Sequence, residues 1–179
     1  KESDVIKALD VDETAGTTIK QSIDLAKVEN QNKLNELVGP TNEEGFYTVS
    51  KKDFKILESK MMGDTFPWYY NDEIVDKKDK FFQFTYVFVV DGKENCHPEM
   101  MQILKPILEK LKYKKMERIK ANLLTKTEDT IEHGLHTDID DITTGIFYLN
   151  TCNGYTKFKG GKKIKSEKNK YVEFDSDLM

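Results

Sequence analysis

From Met116 onward the chain divides into short segments rich in β-forming residues, and this run limits the fold more than any other feature. Met116–Thr125, Gly134–Asp138, Thr143–Leu149, Tyr155–Phe158, Lys162–Ile164 and Tyr171–Phe174 read as strands. Asn153-Gly154 and Gly160-Gly161 read as turns between them, since glycine reaches positive φ without steric cost. Short strands joined by short turns pair antiparallel.

The preceding stretch is of another kind. Ser50 and Asp53 precede Phe54, Ile56 and Leu57, the pattern of a capped helix running to Met62 and stopped by Gly63. Phe66-Pro67-Trp68-Tyr69-Tyr70 reads as an aromatic loop, because Pro67 disfavours helix at the residue before it. Phe82–Phe88 alternates and is a strand. Pro98 opens a second helix whose stripe is Met101, Ile103, Leu104, Ile107, Leu108 and Leu111, with Pro106 inside it. Helices followed by many short strands predict a mainly β, α+β domain over residues 46–179. Its form is a β-sandwich or a jelly roll buttressed by N-terminal helices.

Residues 1–45 lack aromatics and are rich in polar side chains. Ile19, Ile23 and Ala26, then Leu34, Leu37 and Val38, fall at helical spacing, with Thr17 or Thr18 as cap and Gly39-Pro40 as stop. A weakly amphipathic helix of this kind predicts an arm, either mobile or bound to another protein subunit.

The 28 basic and 32 acidic residues are interspersed and leave a net charge of −4, so no nucleic-acid partner is expected. Two cysteines, Cys96 and Cys152, make no disulfide framework and fit reduced thiols in a cytoplasmic setting. The greasiest run, Phe81–Val90, is too short to span a bilayer.

His136-Thr137-Asp138 carries the chemistry. With three histidines and sixteen aspartates, roughly 0.3 such H-x-D triplets arise on random placement, so the triplet alone decides little. In extended backbone, residues two apart share a face, so His136 and Asp138 would converge on one point. Imidazole nitrogen and carboxylate oxygen suit Fe(II). The rival reading is a surface strand end followed by a solvated acidic run, Asp138-Ile139-Asp140-Asp141.

Further residues point to a family. Arg118-Ile119-Lys120-Ala121-Asn122-Leu123, Glu132-His133-Gly134-Leu135-His136-Thr137-Asp138, and Gly145-Ile146-Phe147-Tyr148-Leu149-Asn150 resemble the 2-oxoglutarate- and Fe(II)-dependent dioxygenases. The nearest branch is the prolyl 4-hydroxylase-like set, especially its small bacteriophage members. Asn153–Phe158 and Phe66–Tyr70 add to the likeness, which covers about residues 46–179. The resemblance implies a double-stranded β-helix (jelly roll) with His136 and Asp138 as catalytic iron ligands. It implies cosubstrate contacts from Tyr148, Asn122 and Thr156, and a substrate-side lip from Trp68, Tyr69 and Tyr70. It also implies a third ligand, a histidine, directly after Met179 and a basic residue further on, so a longer chain is expected. Leu124 departs from a tyrosine common in relatives, and Arg118 lies in a different strand from the basic residue expected.

Two functions follow as expectations. One is an oxygenase using Fe(II) and 2-oxoglutarate to hydroxylate a peptidyl, prolyl or other residue, in a host-cell cytoplasm. The other is a non-catalytic module of a phage particle with the same fold, anchored by residues 1–45. A cupin-like sugar-binding domain has only fold class behind it. His133 is expected beside the site or at the surface, His97 at a helix entry, and Cys152 as an apolar filler.

Overall fold

The computed structural model describes residues 20–28 (backbone), 49–75, 81–111, 113–137 and 139–178. Among the described residues nine strands and two α-helices follow in chain order: β1 (Lys20–Val28), α1 (Lys51–Met61), β2 (Tyr69–Asn71), β3 (Gln83–Val90), β4 (Lys93–Glu94), α2 (Pro98–Leu108), β5 (Lys115–Leu124), β6 (Thr143–Tyr148), β7 (Tyr155–Lys157), β8 (Lys163–Lys165) and β9 (Lys170–Asp175). A 3-10 turn, Ser176–Leu178, follows β9.

Seven strands form one sheet in the order β2-β3-β5-β1-β6-β9, with β4 on β3, while β7 and β8 form a separate hairpin. Every strand pair is antiparallel. The architecture is therefore mixed α and β, mostly antiparallel sheet with few helices, and the sheet does not close into a barrel.

Period-2 alternation splits the sheet into two faces. On one, Ile119 and Ala121 of β5, Phe147 of β6 and Tyr171 of β9 pack with Phe54, Leu57 and Met61 of α1 and Leu104 and Ile107 of α2. On the other, Ile146 and Tyr148 of β6 and Val172 and Phe174 of β9 pack with Ile164 of β8 and Phe158. Helices thus cover one face, and the β7–β8 hairpin covers part of the opposite one.

Local chemistry explains the helix ends. Ser50 accepts from the Asp53 amide at 3.1 Å, and its hydroxyl donates to the Asp53 carboxylate at 2.6 Å, closing a reciprocal cap. At Gly63 a Cβ would meet the Ser59 carbonyl oxygen at 2.8 Å, so the chain turns away where only glycine fits. His97 caps α2, its Nδ1 accepting from the Glu99 amide at 3.4 Å, with Pro98 at the first helical position. Asn169, at φ 61°, fastens the sheet to the entry of α1. Its side-chain amide accepts from Val49 N–H and donates to Val49 C=O, both at 3.0 Å.

Two sequence expectations are corrected. Lys20–Val28 is a strand, where Ile19, Ile23 and Ala26 predicted a helix. It is registered against β5 along its length and against β6 from Ser22 to Lys27, so backbone ladders on both sides outweigh a weak helical pattern. Ile19, Leu34, Leu37 and Val38 lie outside the described residues. The second correction concerns Gly134–Asp138. Gly134–Thr137 is not a strand, and Asp138 lies outside the described residues. The chain there runs along the sheet face within the long connection from β5 to β6 and finds no neighbouring ladder to pair with. Among the described residues no helix is long and apolar enough to cross a membrane.

Candidate functional site

On the face away from the helices, β5 presents Lys120, Asn122 and Leu124, two residues apart, and β3 presents Gln83. The β7 strand closes over them with Thr156, and the connection from β5 to β6 lies across the opening with Glu132, His133 and His136. Together they line an open cavity of about 300 Å³, room for a small-molecule ligand.

His136 is half-buried in this wall. Its Nδ1 lies 3.1 Å from the Gly134 carbonyl oxygen. Since a carbonyl only accepts, this contact places a proton on Nδ1. Asn122 and Thr156 are buried in the same cavity. Tyr148 is fully buried beneath it, and its hydroxyl lies 2.7 Å from Thr156 Oγ1. Four of the residues expected at the site, His136, Asn122, Thr156 and Tyr148, therefore converge from three strands and one loop. Asp138 lies outside the described residues, and among the described residues no group of three His, Cys, Asp or Glu side chains stands together to hold a metal.

Trp68 and Tyr69 do not line the cavity. Trp68 packs on Phe66 with ring centroids 4.7 Å apart, and Tyr69, 63% exposed, stacks on Tyr86 at 6.1 Å. The aromatic rim is made instead by Phe81 and Phe82. Phe81 meets the His133 ring edge-on at 5.3 Å, and Phe82 lies 5.6 Å from exposed Tyr70. Cys152 also lines the cavity and accepts from the Gly154 amide at 3.3 Å. Cys96 is half-buried away from it near Tyr86, and desolvation foremost pushes its thiol pKa up, which keeps it a poor nucleophile.

Sequence reasoning did not single out Glu132. Its carboxylate accepts from Lys157 Nζ at 2.5 Å, from Lys163 Nζ at 2.6 Å and from the Tyr155 hydroxyl. The Lys157 hydrogen bond, then those of Lys163 and Tyr155, hold its pKa down at about 2. Reciprocally, the Glu132 bond raises that of Lys163. Lys163 also sits over the Tyr155 ring, 4.1 Å from its centroid. The available signal was the Gly160-Gly161 turn, which sets Lys157 opposite Lys163 and leaves two ammonium groups adjacent without an anion.

No family model matches the chain, and no curated protein or solved structure matches it.

Proposed function

We propose that the protein is a 2-oxoglutarate- and Fe(II)-dependent oxygenase built on a jelly roll, hydroxylating a peptidyl residue, with prolyl first among the candidates. The observation that carries this reading is the convergence of His136, Asn122 and Thr156 on one small cavity, with Tyr148 bonded beneath Thr156.

His136, through Nε2, would hold the iron together with Asp138. Iron with its cosubstrate would supply oxygen activation, so that 2-oxoglutarate, dioxygen and a C–H group give succinate, carbon dioxide and a C–OH group. The chain's own residues do the rest. The Tyr148 and Thr156 hydroxyls and the Asn122 amide are hydrogen-bonding groups suited to carboxylate oxygens, and their burial strengthens such bonds. Phe81 and Phe82 shield the mouth from water, and the exposed Tyr70 beside them extends an apolar lip against which a peptide could lie.

Titration calorimetry of the full-length protein tests this. 2-Oxoglutarate should bind with anaerobic Fe(II) present, and His136→Ala should abolish the metal-dependent part. A protein that binds neither iron nor 2-oxoglutarate would leave the non-catalytic module as the better account.

A further inference from the structure

The connection from β5 to β6, residues 125–142, contains no helix or strand among its described residues, yet it carries His136. Connections of this length without structure of their own are uncommon in compact domains, and a ligand carried on one needs something to fix it. The far end is held at Ile142, whose carbonyl accepts from the Ser176 amide at 3.0 Å. Near the middle, Asn153 Nδ2 reaches Thr130 Oγ1 only at 3.5 Å. Glu132 makes the firmest attachment, with three charged or phenolic donors on its carboxylate.

The hairpin is shaped for this role. On β7, Tyr155 and Lys157 lie two apart and both reach Glu132, while Thr156 between them turns inward to Tyr148. One three-residue strand thus bonds to Tyr148 beneath the cavity with one face and grips the loop with the other. Lys157 and Lys163 are directly opposed in register, an arrangement that is repulsive unless an anion lies between. Glu132 supplies that anion from four residues before His136, a reach of at most about 14 Å of chain.

We propose that Glu132 is a positioning residue whose capture by Lys157, Lys163 and Tyr155 fixes the Ile131–Thr137 segment and thereby sets where His136 stands in the cavity. The part concerning metal rests on the oxygenase reading; the part concerning the loop does not. Glu132→Gln keeps the shape and removes the charge.

The experiment compares full-length wild type, Glu132→Gln and Lys157→Gln/Lys163→Gln by hydrogen exchange and by anaerobic Fe(II) titration. Both variants should lose amide protection across residues 131–137 while β6 and β9 keep theirs. Both should bind Fe(II) about tenfold more weakly, the lower end of what loss of an outer-shell support costs. Combining all three substitutions should add little, because one contact is removed from either side. Unchanged protection in Glu132→Gln overturns the tether. Lost protection with unchanged Fe(II) affinity overturns the positioning of His136. Wild type that binds no Fe(II) removes the oxygenase reading and with it the positioning of a metal ligand, while exchange still decides whether Glu132 ties the loop.

Discussion

The hydroxyls of Tyr148 and Thr156 lie 2.7 Å apart in the buried layer between β6 and the β7–β8 hairpin. One belongs to the apolar cluster under the cavity and the other to the cavity wall. Tyr148→Phe leaves the Thr156 hydroxyl without this partner and should cost about 1–2 kcal/mol, read as a fall in the urea midpoint. Thr156→Val should behave similarly, and the double variant should lose less than the two single losses added. Additive losses would mean that the two hydroxyls are not coupled.

Gly145 of β6 lies against the ring of Tyr171 on β9. A Cβ at Gly145 would meet Tyr171 Oη at 2.1 Å and ring carbons at 2.6 Å. Because Tyr171 is buried and its hydroxyl is bonded to Glu173 at 2.7 Å, the ring has little room to retreat. Gly145→Ala should destabilise by roughly 1–3 kcal/mol through overpacking. A thermal midpoint equal to that of wild type would show that the strands part easily.

Acid should release the loop from the hairpin. The Glu132 carboxyl is depressed from 4.5 to about 2, so its contribution is present above pH 4.5 and is lost as pH falls towards 2. The site is exposed, which keeps the effect small. Between pH 4.5 and 2, wild type should lose more stability than Glu132→Gln, measured as urea midpoints in matched salt. Parallel curves for the two proteins would contradict the assignment.

A proline tests β1. The strand lies between β5 and β6, with a partner on each side, so a proline there deletes ladder hydrogen bonds within the sheet. Ile23→Pro should lower the urea midpoint well below that of a proline at Tyr70 in the outermost strand β2. Equal midpoints would place residues 20–28 outside the stable sheet.

The elements visible in the sequence were those whose signals are local. Ser50 with Asp53, Pro98 behind His97, and the alternation along β3, β5 and β6 each depend on neighbours within a few residues. β1 was misread because Ile23 and Ala26 suit a helix while Ile23 and Leu25 suit a strand, and partners about 95 residues away in β5 decide between them. The segment before Asp138 reads as extended by composition, but a strand needs a ladder, and Gly134–Thr137 runs where none is offered. That His136, Asn122 and Thr156 would face one cavity, with Tyr148 beneath Thr156, was legible only through the resemblance to a family pattern. Glu132 lay within the stretch that carries this resemblance, yet its contacts depend on the register of a hairpin more than 20 residues later.

The central claim is tested most directly by succinate release from 2-oxoglutarate under oxygen, using the full-length protein with Fe(II) beside His136→Ala and Asp138→Ala. The oxygenase reading predicts iron-dependent succinate from wild type and only background from either variant. Equal succinate from wild type and His136→Ala, or none from wild type under any iron supply, would contradict it.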